Sequence, residues 1–201
     1  MRLEATRQLR YVGPSDPPGL SQLFSSPTFA WIWLLVRLFV GYQWLNSGIG
    51  KLGNPAWTVT GEALKGFWTR AVSIPATGSP PVTYDWYRAF LNTMLEGGHY
   101  TWFSKLVVAG ELLVGLALIL GAFVAVAAVF GAFMNLNYML AGTASSNPVL
   151  FTLAILLVLA WRIAGYWGLD RWLLVHVGMP WDWLRRNRSS AVDPTASEAT
   201  S

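Results

Sequence analysis

The sequence predicts an all-α integral membrane protein: a four-helix bundle with an extracytoplasmic helical loop and a C-terminal interfacial helix. Three observations carry that prediction. Of the 201 residues, 54% are hydrophobic and only 12% are charged, a balance too apolar for an ordinary water-soluble domain. The apolar residues gather in segments of about 20, the length that crosses a bilayer core. Twelve tryptophans accompany the few charges, as expected of rings that sit at the two membrane–water interfaces.

Residues 1–28 are polar and rich in Pro and Ser, and read as a flexible N-terminal cytoplasmic segment. No cleavable signal peptide is expected, because the first apolar run is long enough to span and lacks a cleavage site. That run, 29–50, is the first span. A continuous apolar stretch from 104 to 142 is too long for one crossing at about 1.5 Å per residue, so it must fold back. Gly121-Ala122 is the expected turn and divides it into spans at 104–121 and 123–142. The fourth span, 148–165, opens with Pro148 behind Ser145, Ser146 and Asn147, a first-turn proline following cap candidates.

Four spans bring both termini to one side. Arg2, Arg7 and Arg10 near one end, and Arg171, Arg185, Arg186 and Arg188 near the other, predict that this side is cytoplasmic. The outer loop, 51–103, carries two amphipathic stretches. Residues 60–74 set Ala63, Leu64, Phe67, Trp68, Ala71 and Val72 on one helical stripe. Residues 83–98 align Trp86, Phe90 and Met94, with Thr83 or Asp85 to cap the start and Gly97 the end. ATGSPP, 76–81, turns the chain between them. The two helices either cover the outer mouth of the bundle or rest in the headgroups. Residues 166–186 are rich in Trp and end in arginines, which predicts an inner interfacial helix with His176 on its surface. Residues 189–201 read as a disordered tail.

Composition narrows the chemistry. The net charge is +4, but no basic helix or basic–aromatic repeat accompanies it, so the lipid bilayer fits as a partner and nucleic acid does not. The absence of cysteine removes disulfides, thiol nucleophiles and cysteine-ligated clusters. His99 and His176 fall on opposite faces of the predicted topology, which argues against haem and zinc. No metal and no recognisably bound cofactor are expected, and no inverted repeat is visible.

The candidate site comes from polar residues at membrane depth. At 100° per residue, Arg37, Gly41, Trp44, Gly48 and Lys51 form one stripe of the first span. Gly41 and Gly48 admit a close neighbour. A charge at membrane depth costs at least about 2.5 kcal/mol, so each cation needs a partner or water. Glu111 shares a face of the second span with Ser104, Gly115 and Leu118 and is the expected counter-charge. Lys51 lies above it, and Arg37 lies about 20 Å from its level, near the combined reach of the two side chains. In the third span Asn135 shares a small-residue face with Gly131 and Gly142, near the depth of Glu111, while Asn137 points to another helix. Arg162 reads as snorkelling to the inner interface. The expected cluster is therefore Arg37, Lys51, Glu111 and Asn135 in the outer half of the bundle. It is either a charge-paired packing core or a site for a small molecule or proton.

R-x3-G-x6-G-x2-K from Arg37 to Lys51, Glu111 with Gly115, NxNY from Asn135 to Tyr138, and GLDRWL at 168–173 together resemble the DoxX/DoxD family of four-helix membrane proteins, over roughly 29–180. The long aromatic loop and the GLDRWL ending look most like the branch of DoxD-like large subunits of thiosulfate:quinone oxidoreductase. The resemblance implies a multi-pass protein of a bacterial or archaeal plasma membrane, active in sulfur metabolism. Thiosulfate would be oxidised to tetrathionate and membrane quinone would be the electron acceptor. A DoxA-like or other redox partner subunit is implied, and a homo-oligomer is the other assembly considered. In that setting Glu111 would transfer protons, and Arg37, Trp44, Lys51 and Asn135 would bind quinone or thiosulfate. Gly41, Gly48, Gly115 and Gly131 would pack helices. The alternatives are a non-enzymatic scaffold that anchors a redox or detoxification partner, and a small-solute permease.

Overall fold

Every regular element among the described residues is helical, as the apolar runs and the two amphipathic stretches require. A computed structural model describes residues 19–177. Most of the N-terminal lead-in, the last part of the inner interfacial segment and the tail at 189–201 lie outside them. The helices are α1 (Leu20–Ser25), a 3-10 turn (Pro27–Phe29), α2 (Ala30–Leu52), α3 (Pro55–Thr58), α4 (Glu62–Val72), α5 (Asp85–Glu96), α6 (Tyr100–Leu120), α7 (Val124–Leu140), α8 (Asn147–Leu159) and α9 (Asp170–Val177). Two segments, Pro27–Leu52 and Tyr100–Leu120, are long and apolar enough to cross a membrane, and α7 and α8 are shorter apolar helices.

Helices α2 and α6 form the closest pair, and glycine makes the approach possible. Gly41 lies against Leu118 and the Gly115 carbonyl, and Gly48 against Leu112. A Cβ on Gly115 would stand 2.6 Å from the Leu45 nitrogen and 3.0 Å from the Gly41 oxygen. Contacts that rise along α2 fall along α6, so the pair is antiparallel. Gly131 of α7 fits under the Trp44 indole, where a Cβ would be 3.0 Å from Nε1. The four expected packing glycines are thus all at helix crossings. Trp33, Val40, Trp44, Leu118, Ala128 and Leu157 fill the space between α2, α6, α7 and α8. The outward faces are apolar too: Leu35 and Phe39, Leu113 and Leu116, Phe130 and Phe133, and Ile155 and Leu159 are all exposed.

A second core sits at the end of the bundle where α2 finishes. Leu64, Trp68 and Ala71 of α4, Val82, Tyr87 and Leu91 from the α5 side, and Ala141 are buried together. Helix α4 buries the stripe expected of it. Helix α5 does not: Trp86 is 63% and Phe90 45% exposed, while Tyr87 and Leu91 are buried. The buried face is one residue, or about 100°, away from the larger rings. Tyr87 wins because its hydroxyl finds a partner inside, donating to the Asn137 carbonyl at 3.1 Å. That burial raises the Tyr87 phenol to about 12. Asp85 does not cap α5 but pairs with Arg88 at 2.7 Å, and Gly97 closes the helix as expected.

Other boundaries shift for local reasons. The expected lead-in to residue 28 already contains α1, anchored where Trp33 Nε1 donates to the Leu23 carbonyl at 2.7 Å. Helix α6 starts four residues before the apolar run. Asn54 caps the unforeseen α3, accepting from Ala56 N at 2.9 Å ahead of Pro55. Ser145 and Ser146 give α8 no side-chain cap, and Asn147 instead donates to the Thr143 carbonyl at 2.9 Å. Helix α8 ends at Leu159, short of 165, and the chain continues to 168 in successive turns that bury Ala160, Ile163 and Ala164. Gly121 makes the expected turn between α6 and α7 with φ +69°.

Candidate functional site

Lys51 stands in the last turn of α2 and Glu111 midway along α6, and the antiparallel pairing brings them together. Lys51 Nζ donates to both Glu111 oxygens, at 2.8 and 2.7 Å, and to Ser47 Oγ at 2.6 Å. The Glu111 side chain is only 1% exposed and that of Lys51 20%, so the carboxylate is the buried partner and the ammonium faces its access route. Tyr138 of α7 donates to Glu111 Oε1 at 2.8 Å. A buried carboxylate is tolerable when charge and hydrogen bonds both answer it, and here α2 and α7 supply them. Lys51 also lies 5.2 Å from the centre of the Trp57 ring.

These residues border an open cleft of about 700 Å³ between α2, α7 and α8, overhung by α3 and α4. Burial distinguishes its floor from its mouth. Trp44, Glu111 and Asn135 are buried, whereas Arg70, Ser145 and Ser146 at the rim are exposed. Three polar atoms of the floor have no partner among the described residues: Trp44 Nε1, Asn135 Nδ2 and Asn135 Oδ1. Buried polar atoms in folded proteins almost always find partners. Of the six buried side-chain atoms without one among the described residues, these three line the cleft beside the ion pair, and the others belong to Arg37 and Arg88.

Arg37 is not part of this cluster. It lies on the same stripe as Lys51 but about 20 Å along the helix, because a shared face does not give a shared depth. It is buried at the opposite end of the bundle, where its guanidinium packs on Gly121 and Gly168 and Nη2 donates to the Trp167 carbonyl at 3.4 Å. The expected outer cluster therefore reduces to Lys51, Glu111 and Asn135, with Trp44 and Tyr138 added. Asp170, from the GLDRWL segment, organises the Arg37 end. Its carboxylate accepts from Phe123 N at 2.5 Å and Val124 N at 3.0 Å, capping α7, and its own N–H donates to the Gly121 carbonyl at 2.7 Å. Burial pushes the Asp170 carboxyl above its ordinary value, against the opposing pull of those two N–H groups and the Arg37 charge.

The remaining polar residues take structural places. Asn137 faces α5, where its carbonyl and Oδ1 accept from Tyr87. Arg162 is exposed and stacks over Trp161 at 5.2 Å. His99 stands at the start of α6 and His176 on α9, at opposite ends of the bundle. Tyr138 was accessible to sequence reasoning only as the last letter of NxNY. An i, i+3 step from Asn135 puts its hydroxyl on the same face, which is the signal that would have found it. No family model matches the chain, and neither a curated protein nor a solved structure matches it.

Proposed function

We propose that the protein spans a plasma membrane four times, with its cleft on the outer side. On this reading the cleft binds a quinone headgroup, and the protein is the membrane subunit of a quinone-linked oxidoreductase of thiosulfate:quinone type. The observation that carries the proposal is the unpartnered Trp44 Nε1 and Asn135 amide beside the Lys51–Glu111–Tyr138 network. The apolar outward faces of α2, α6, α7 and α8 support the membrane setting. A ring carbonyl can accept from Trp44 Nε1 and Asn135 Nδ2. Glu111, linked to Lys51 and Tyr138, provides a relay for the protons that quinone reduction consumes. Lys51 and Arg70 offset the charge of an anionic donor at the mouth.

The overall reaction balances simply. Two thiosulfate dianions join through a new S–S bond to give tetrathionate and release two electrons. The quinone takes those electrons with two protons and becomes the hydroquinone. A DoxA-like or other redox partner subunit completes the enzyme and carries any electron relay. The test is thiosulfate-dependent reduction of a short-chain quinone by the purified protein, alone and with its co-purifying partner. Activity is expected, with a loss of about tenfold or more in Glu111→Gln for a group that transfers protons. Lys51→Gln should raise the KM for thiosulfate more than that for quinone. A stable partner complex with no activity in either sample would replace this reading with that of a scaffold.

A further inference from the structure

The cleft floor holds an uneven set of hydrogen-bonding atoms. Trp44 Nε1 can only donate, Asn135 Nδ2 donates, and Asn135 Oδ1 accepts. All three are buried without a partner among the described residues. Exchanging the oxygen and nitrogen of the amide leaves this set unchanged. The two side chains are neighbours, since Trp44 Nε1 lies over Gly131 and Asn135 follows one turn later on the same face of α7. Glu111, Tyr138 and Lys51 already bond one another, so the floor atoms are the ones a ligand head must answer.

A carbonyl oxygen answers only part of that set. It accepts from the indole and the amide N–H but leaves Asn135 Oδ1 facing a second acceptor. A hydroxyl accepts from the same donors and gives its own hydrogen to Oδ1, so all three atoms are met. We infer that the floor recognises a hydroxyl rather than a carbonyl, and that the cleft holds a hydroquinone more tightly than the corresponding quinone. This inference rests on the quinone reading above. A buried acceptor without a partner carries a penalty equivalent to about tenfold or more in affinity. For a two-electron couple, a tenfold preference for the reduced form raises the potential of the bound ligand by about 30 mV. The bound quinone then draws electrons more strongly than it does in the lipid.

The test compares a short-chain benzoquinone with its hydroquinone, each titrated calorimetrically under anaerobic conditions into the full chain in detergent. The hydroquinone should bind about tenfold tighter. Asn135→Leu removes the amide at similar volume and should abolish the difference between the two forms. Trp44→Phe removes a donor used by both, so both should weaken while the preference stays. Equal affinities, or tighter binding of the quinone, in the unmodified chain would overturn the inference and leave the quinone reading standing. Binding of neither form would overturn both. The unmodified chain decides the matter even if Asn135→Leu fails to fold.

Discussion

Glu111 is held by Lys51 from one helix and Tyr138 from another, so each bond can be removed separately. Tyr138→Phe keeps the ring and deletes one hydrogen bond to a buried carboxylate, which should cost about 1–2 kcal/mol. Thermal unfolding in detergent checks this, and an unchanged midpoint would show that the hydroxyl contributes nothing. The Lys51–Glu111 pair was legible in the sequence, because a charge at membrane depth demands an answer and only one carboxylate lay in an apolar span. The place of Arg37 was not legible. Periodicity gives the face of a helix, but a long side chain can run toward either end, and Arg37 turns to the glycine-lined corner at Gly121 and Gly168. Asp170 was hidden for another reason: it caps an amide 47 residues away. Its raised carboxyl also fixes a pH dependence. The unfolded chain loses its proton first as pH rises from about 4, so the stabilisation is complete below that value and is lost as pH climbs through the raised one. The gap in melting temperature between the unmodified protein and Asp170→Asn should therefore be wider at pH 4 than at pH 7. A gap independent of pH would contradict the shift.

At the scale of elements, the α2–α6 crossing is set by backbone contact. A Cβ on Gly115 meets the Leu45 nitrogen and the Gly41 oxygen, neither of which can rotate away. Gly115→Ala should destabilise the protein by about 1–3 kcal/mol, the usual cost of overpacking. Gly50→Ala is the control: it lies in α2, the other helix of the pair, with nothing among the described residues within 4 Å of the new carbon, and should stabilise by about 0.5–1 kcal/mol. Equilibrium unfolding of the two variants would show opposite signs if the crossing is as tight as the distances imply. Apart from α1 and α3, which segments are helical was readable from apolar length and from glycine and proline punctuation. The phase of α5 was not, because its rings are distributed around the helix and Tyr87, not Trp86, has an inward partner. The end of α8 was equally hidden, since the stretch from 160 to 168 stays largely apolar while its backbone closes three-residue turns, as where Ile163 N donates to the Ala160 carbonyl and Gly168 N to the Gly165 carbonyl.

At the scale of the whole molecule, the absence of cysteine makes topology directly measurable. Thr77→Cys and Ala144→Cys lie at the cleft end of the bundle, and Gln22→Cys and Arg171→Cys at the Arg37 end; all four sites are exposed. In intact cells an impermeant maleimide should label the first two, and the other two only after lysis. Labelling of all four, or the reverse pattern, would contradict the four-span orientation. The order in which the chain is made gives the capping of α7 a further meaning. The amides of Phe123 and Val124 are held by a carboxylate that leaves the ribosome 47 and 46 residues later. Until Asp170 emerges, the corner between α6 and α7 stands open and Arg37 lacks the lining of Gly168. A chain halted after α8 thus lacks both Asp170 and Gly168, and is unfinished at the end of the bundle where Arg37 is buried.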